Sequence, residues 1–455
     1  MTKKLFGTDG IRGVANRYPM TAELALKVGR AVAQHFKGQG QRVDKSSVVL
    51  IGKDTRRSSY MIEQALAAGV TSQGAFALLV GPMTTPGVSF LTQSMRADAG
   101  IMVSASHNSY EYNGIKLFGH DGFKLDDDIE EKIENMVLNE SPESSLPIGG
   151  ELGRAKRIDD AMGRYVVHVK SSFPANMDLR NIRIVLDTAH GAAYKFSPIV
   201  FEELGAEVIQ IGNKPDGTNI NHEVGALYPS QVQELVVKYR ADIGIALDGD
   251  GDRCVFVDET GEVVDGDQAL TILAADLKKR KALKNDTVVV TQMSNYSLDQ
   301  VMKTLGIKVL RCPVGDRLVV EHMRSAGSNF GGEPSGHIIF GDYSTTGDGT
   351  MAALGVLAVM RREQKKLSEL KKIMTPYPQI LRNVKVKQKK DFTTLPEVQK
   401  LITEVESKLK DRGRLLIRYS GTEPLCRIML EAEDPVVIKS LADQLEDVIR
   451  TALTV

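Results

Sequence analysis

Short runs of aliphatic and β-branched residues recur along the chain with longer amphipathic stretches between them, a pattern that folds into α/β units with largely parallel sheets. Val48 to Ile51, Ile101 to Val103, Ile182 to Leu186, Ile243 to Leu247 and Val288 to Val290 read as strands. Thr21 to Phe36 puts Leu24, Val28 and Val32 on one helical face, with Thr21 placed to cap it. Three strands end alike, in VVLIGKDTR, IRIVLDTAHG and IGIALDGDGDR: an apolar run, an aspartate, then small or polar residues. Such endings suggest repeated α/β domains, because these folds carry their ligand loops at the carboxyl ends of strands.

A chain of 455 residues makes several packed units at about 150 residues each. The polar segment NESPESSLPIGGELGRA, Asn139 to Ala155, reads as a linker. A second division is expected just after Arg253. A third is expected near TPYPQ, Thr375 to Gln379, where the basic KVKQKK that follows reads as a solvated strand edge. In the last segment RLLIRYSGTEPLCRIMLEA reads as two strands around a turn and PVVIKSLADQLEDVI as a closing helix. The expected domains are 1–150, 151–254, 255–372 and 373–455.

Lysine plus arginine and aspartate plus glutamate both number 58, so no bulk basic field favours nucleic acid or an anionic membrane. An anionic ligand must be held by a local cluster. Cys254, Cys312 and Cys426 are far apart, with no metal-ligand spacing, which fits a reducing cytoplasm. The start MTKKLFGTDG has no apolar stretch behind its lysines, and no run approaches the ~18 residues that span a bilayer, so neither secretion nor membrane insertion is expected.

The most informative loop is LDGDGDR. In extended chain Asp248, Asp250 and Asp252 face one way, and Gly249 and Gly251 leave the backbone free to curl around an ion. Hard oxygen ligands of this kind suit Mg²⁺. A calcium loop is the competitor, since Glu259 falls where an EF-hand places its bidentate glutamate. Against it, Arg253 stands where that loop needs glycine, and IGIAL and CVFVD are strand-like flanks.

The remaining motifs are individually weaker. In SASHNSYEYNGIKLFG a serine just beyond a buried strand is placed as a nucleophile, but no GxSxG elbow surrounds it, and by itself the segment equally describes a cap and turn. His107 alone reads as a turn or core histidine, and Lys116 alone as a surface lysine. GGEPSGH alternates Glu333, Ser335 and His337 along one side, able to read vicinal hydroxyls or simply to form a Gly-rich turn. RYSGTEPLCR sets Arg418 and Arg427 beside Ser420, Gly421 and Thr422, the guanidinium forks, hydroxyls and amides of a phosphate clamp, or else a plain hairpin. GTDGIRG adds Arg12 in a Gly-rich loop. Together, a metal loop, a serine, a hydroxyl-reading loop and an anion clamp, one per expected domain, match what phosphoryl transfer on a sugar phosphate requires.

With these loops in this order, the sequence resembles the α-D-phosphohexomutase family over essentially its whole length. The resemblance implies four domains around a central cleft, three of them mixed α/β and the last a smaller α+β domain. It implies that Ser106 is phosphorylated, with Ser104 in support. Asp248, Asp250 and Asp252 would hold Mg²⁺ against the Ser106 phosphoryl, and Glu333, Ser335 and Arg253 would meet the sugar. Arg418, Ser420, Gly421, Thr422 and Arg427 would grip phosphate, and Arg12, Lys116 and His337 would lie near the reacting oxygens. FGTDGIRG and TTGDGT look most like family members acting on glucosamine phosphate. The implied reaction interconverts glucosamine 6-phosphate and glucosamine 1-phosphate through a sugar 1,6-bisphosphate, in the supply of UDP-N-acetylglucosamine for the cell wall, and a homodimer is compatible with it. Two departures are Ser109, where the family usually has proline, and Pro334, where such members often have glutamine. The competing readings are a glucose or mannose phosphate mutase and a non-catalytic sugar-phosphate sensor.

Overall fold

A computed structural model describes residues 5–7, 9–38, 47–139, 146–420 and 424–454. The chain forms two compact units, Met1–Met293 with Gly306–Lys372, and Ser294–Leu305 with Ile373–Val455.

Three sheets of the larger unit share one plan. The central strand of each, Val48–Lys53, Arg183–Asp187 or Thr287–Thr291, has a parallel neighbour on either side. These neighbours are Phe76–Pro82 and Ala99–Val103, then Glu207–Ile211 and Ile243–Leu247, then Lys308–Cys312 and Phe330–Gly332. In every sheet the later neighbour turns back into an antiparallel strand, Tyr112–Gly119, Cys254–Asp258 or Ile338–Phe340. The loops SASHN, DGDGD and EPSGH are those turns. The repeat suggested by the strand endings is present with a different alignment. KDTR and LDTAHG end equivalent central strands, whereas the strand before DGDGDR corresponds to the one before SASHN.

The sheets are mixed because the returning strand sits antiparallel beside a parallel core. Their buried faces are built as the pattern predicts. Thr21 Oγ1 accepts from Leu24 N at 3.2 Å at the start of helix Ala22–Phe36. Leu24, Val28 and Val32 of that helix are buried in one core with Ile62 and Leu66 of helix Arg57–Ser72 and with the sheet residues Val49, Ile51, Ile101 and Val103. Each side chain so buried stabilises the fold by about 1.5–3 kcal/mol relative to leaving it in water.

Sheet pairing runs past the divisions that composition suggests. The charged strand Ala155–Arg157 is the edge of the first sheet, parallel to Phe76–Pro82, and Cys254–Asp258 with Val263–Val264 completes the second. Of the expected linker, residues 140–145 lie outside the described residues, and the remainder passes through a 3-10 turn at Gly149–Glu151.

The smaller unit is an antiparallel sheet in the order Gln379–Lys385, Leu425–Ala432, Gly413–Tyr419. Helices Pro396–Leu409 and Pro435–Thr454 cover it, with Val398, Val405, Ile428, Leu430, Ile438, Leu441 and Leu445 in one core. The basic run leaves the edge strand of this sheet largely exposed, as expected. Helix Tyr296–Thr304 groups with this unit: Tyr296 N donates to Glu431 Oε2 at 3.1 Å, and Asn295 bonds the backbone of Tyr377 at 3.0 Å in both directions. Its polar contacts carried no signal in the sequence. The three cysteines are free and buried, and no described helix is long and apolar enough to cross a membrane.

Candidate active site

Strand Ala99–Val103 is buried along its whole length and delivers the serine loop at its carboxyl end. Ser106 is buried and left-handed, with φ +51°. That conformation costs a non-glycine residue about 1–2 kcal/mol, so the loop must over-determine it. Ser106 N donates to Ser104 Oγ at 3.0 Å, and Ser104 Oγ donates to Asp54 Oδ2 at 2.7 Å. Ser106 Oγ donates to Asp248 Oδ2 at 2.7 Å, which joins the serine loop to the aspartate loop. Only glycine fits at 249, because a Cβ there would lie 2.7 Å from the Ser106 carbonyl oxygen.

Asp248, Asp250 and Asp252 are buried, and each offers an oxygen within 4.8 Å of the others. Asp250 Oδ2 accepts from Thr85 Oγ1 at 2.6 Å and pairs with Lys116 Nζ at 3.0 Å. Burial pushes Asp248 well up, and the charges of Asp252 and Asp250 push it further. Burial also raises Asp250, but Lys116 and the Thr85 hydroxyl outweigh it and hold that carboxyl well below the usual range. Desolvation opposes the Lys116 charge, yet Asp250, Asp9 and Asp252 together hold the ammonium firmly protonated. Asp250 Oδ1 and Asp252 Oδ1 are buried with no hydrogen-bond partner among the described residues. Converging carboxylates, mutual repulsion and orphaned buried oxygens fit a hard divalent cation such as Mg²⁺. Glu259 is engaged elsewhere: it accepts from Ser368 N at 3.3 Å and from the Ser368 hydroxyl, so it does not complete a calcium loop.

His337 lies beside Asp252, Nδ1 to Oδ2 3.6 Å, and its Nε2 accepts the Gly347 amide at 3.0 Å. The Gly347 bond assigns the neutral tautomer with the proton on Nδ1, facing Asp252. Burial disfavours the imidazolium, but Asp252 and Asp316 raise the pKa above the usual value. Glu333 N donates to His337 O at 2.9 Å, and Ser335 Oγ lies 3.4 Å from Glu333 Oε2, so these polar side chains share one turn. Arg253 N donates to Asp248 Oδ1 at 3.2 Å, while its guanidinium meets His107 Nδ1 at 3.1 Å. Burial first, then Arg253 and Arg12, push His107 down to about 4, which keeps it a neutral acceptor.

The structure thus gathers Ser106, Lys116, the aspartates, Arg253, His337, Glu333 and Ser335. Arg12 joins through Asp9, its ion-pair partner, which also meets Lys116 at 3.3 Å and pairs with Lys124. Lys124 in turn pairs with Asp316, which lies 4.0 Å from His337 Nε2. Asp9, Lys124, Asp316 and Thr85 went unnoticed in the sequence. Asp9 lies inside GTDGIRG and could have been weighed with Arg12, whereas Lys124 and Asp316 are isolated charges with no spacing to mark them.

In the smaller unit, Arg418 and Arg427 stand directly opposite each other across the hairpin, Arg418 exposed and Arg427 half-buried. Like charges directly opposite are destabilising in water, and an anion held between them reverses the sign. Ser420 N donates to Leu425 O at 2.8 Å, and Ser420 O accepts from Lys389 Nζ at 2.6 Å. Gly421 and Thr422 lie outside the described residues.

Comparison with known proteins adds an independent line. The phosphoglucomutase/phosphomannomutase alpha/beta/alpha domains I, II and III match residues 3–144, 163–261 and 265–377, and the C-terminal domain matches 381–448. The phosphoglucosamine mutase of Geobacter metallireducens is 56% identical over 447 residues, 98% of each chain. That of Bdellovibrio bacteriovorus is 51% identical over 452 residues, 99% of each. A phosphoglucomutase/phosphomannomutase family protein of Burkholderia thailandensis shares the fold with a TM-score of 0.79 at 23% identity, covering 98% of this chain and 97% of that one. The Aspergillus fumigatus N-acetylphosphoglucosamine mutase, solved with GlcNAc-6P and magnesium, does so at 0.68 and 18% identity, over 99% and 96% of the two chains. With all four domains matched in order and relatives more than half identical along nearly the whole chain, the protein belongs to the phosphoglucosamine mutases of the α-D-phosphohexomutase family, a family of isomerases.

Proposed function

We propose that this mutase interconverts glucosamine 6-phosphate and glucosamine 1-phosphate, using Mg²⁺ and a phosphoserine at Ser106. The observation that carries the reading is the buried Ser106 hydroxyl, 2.7 Å from one of three converging aspartates. Ser106 Oγ gives its phosphoryl group to a sugar hydroxyl, the resulting 1,6-bisphosphate turns over in the site, and its other phosphoryl group returns to Ser106. Asp248, Asp250 and Asp252 would hold Mg²⁺, which would supply positive charge to the phosphoryl oxygens. Lys116 and Arg12, already held by Asp9, direct their charges at the same oxygens. His337 presents its Nδ1 proton beside them, and Glu333 and Ser335 read the sugar hydroxyls in both orientations. Arg253 contributes to substrate binding from the aspartate loop. Arg418, Ser420, Gly421, Thr422 and Arg427 hold the phosphate that is not reacting.

We place the reaction in the cytoplasm, in the supply of UDP-N-acetylglucosamine, with four domains as the working division, the first taken on to Arg157 and the second to Val264 so that each keeps its whole sheet. A homodimer is compatible with the reading. Pro334 in the sugar loop favours keeping the glucose and mannose phosphate alternative in the test. Kinetics of the phosphorylated enzyme on glucosamine, glucose and mannose phosphates at equal bisphosphate activator decide it. The glucosamine compound is expected to give the highest kcat/KM, and preference for another sugar rejects that part. Absence of phosphate on Ser106 by intact mass after incubation with bisphosphate rejects the covalent route and favours a sugar-phosphate sensor.

A further inference from the structure

Arg56 is fully buried, yet it belongs to none of the loops assigned to the reaction. Its Nε donates to Asp54 Oδ2 at 2.7 Å, and the rest of the guanidinium points at main chain. NH2 donates to Ser106 O at 2.8 Å, while NH1 donates to Asn108 O at 3.0 Å and to Ser109 O. Asp54 also takes the hydroxyls of Ser59 and Ser104, each at 2.7 Å, and Ser104 Oγ receives the Ser106 amide. From the second sheet's domain, Asn221 Nδ2 donates at 2.9 Å to two of the same carbonyls, Ser106 O and Asn108 O. Asn221 also packs where a Cβ on Gly249 would fall, 2.7 Å from its Nδ2.

A buried arginine that needed only charge balance would be satisfied by Asp54 alone. Here the planar fork is used up on the carbonyls of one loop, a geometry that lysine cannot reproduce. The residue in the middle of that loop is the left-handed Ser106, whose Oγ must meet Asp248.

We propose that Arg56, with Asn221, is a positioning residue for phosphoryl transfer: the two side chains clamp the Ser106 and Asn108 carbonyls from two domains and so register the Ser106 hydroxyl against the aspartate loop. The inference rests on reading Ser106 as the phosphoryl carrier. Because Arg56 meets carbonyls rather than reacting atoms, its loss displaces the nucleophile and leaves the sugar and phosphate contacts in place.

The test is the mutase assay with glucosamine 6-phosphate and glucosamine 1,6-bisphosphate on Arg56→Lys, Asn221→Ala and Ser106→Ala, beside melting temperatures. Arg56→Lys keeps the charge beside Asp54 but loses the fork. Its kcat is expected to fall roughly a hundredfold with KM changed by less than about threefold, the signature of a misplaced reacting group. Asn221→Ala, which removes one of two clamps, is expected to lose about tenfold in kcat, again without KM. Either variant turning over within about twofold of wild type while Ser106→Ala is inactive overturns the positioning role and leaves the serine assignment standing. A loss seen only in melting temperature, with kcat of the folded enzyme intact, also overturns it. If Arg56→Lys does not fold, Asn221→Ala decides alone by the same criterion. Activity in Ser106→Ala instead rejects the reading on which the proposal rests.

Discussion

Ser106 combines burial, a left-handed backbone and a 2.7 Å bond to Asp248, a costly arrangement for a residue with only a packing role. Ser106→Ala is expected to lower mutase turnover by several orders of magnitude while sugar-phosphate affinity, measured by calorimetry, stays close to wild type, because only the covalent route is removed. Near-normal turnover would shift suspicion to Ser104. Asp250 has a different task. Its Oδ2 is taken by Thr85 and Lys116, and its Oδ1 has no hydrogen-bond partner among the described residues. Asp250→Asn removes one of the anionic ligands that converge there and leaves Lys116 with weaker compensation. The Mg²⁺ concentration for half-maximal activity should rise at least about tenfold. A metal titration superimposable on that of wild type would take this loop out of metal binding. The alternate aspartates declared themselves by spacing, and the family resemblance set Asp248 and Lys116 beside Ser106, but Thr85 is an ordinary helix threonine that folding brings against Asp250.

At the scale of elements, the strands were legible where both faces are buried. Ile243–Leu247 was expected with its present limits, and the helix capped by Thr21 likewise, because aliphatic runs and caps write their own boundaries. The edge strand Ala155–Arg157 was not legible: its side chains are all exposed, so no hydrophobic period marks it. The C-terminal hairpin was read correctly as a hairpin, yet the pairing of Arg418 with Arg427 follows from register, which the sequence does not specify. That pairing motivates a prediction at the same scale. On the proposed reading Arg418→Ala removes one fork of the phosphate clamp and should raise KM for the sugar phosphate with a smaller effect on kcat. A charge-assisted bond of about 1.5–3 kcal/mol corresponds to roughly tenfold to a hundredfold in kcat/KM. Lysine should recover only part of it, since a point charge cannot bind two oxygens in one plane. If KM is unmoved, the hairpin is ordinary structure and phosphate is held elsewhere.

Across the molecule, the triplicated sheet plan places one loop type at the same strand end three times, so the proposed nucleophile, cation site and sugar-reading loop would differ only in the sequence of the turn. What joins the α/β domains is less legible, because many of the joints are side-chain contacts between residues far apart in the chain, which no local pattern marks. Tyr165, on helix Ala161–Lys170, donates its hydroxyl to Asp348, the N-cap of helix Gly349–Glu363, and Gly349 N reaches Gly251 O at 3.0 Å in the aspartate loop. Burial pushes the Asp348 carboxyl up from 3.8 to about 6, against the bonds from Tyr165 and the helix amides. The folded protein therefore binds this proton more tightly than the unfolded chain does. Asp348 contributes stability that is complete below about pH 4 and is lost as pH rises through about 6. The shift corresponds to about 3 kcal/mol at most. Asparagine keeps an acceptor for the cap and a partner for Tyr165 but cannot titrate. Urea midpoints of wild type and Asp348→Asn, measured from pH 4 to 7 at one Mg²⁺ concentration, should therefore diverge, with wild type losing stability relative to the variant as pH rises and the difference levelling off above about pH 6.5. Other groups titrate in the same window, but they are common to both proteins and cancel in the difference. Parallel curves would mean that Asp348 is ionised throughout, and that the joint between these domains is a charged contact rather than a shared proton.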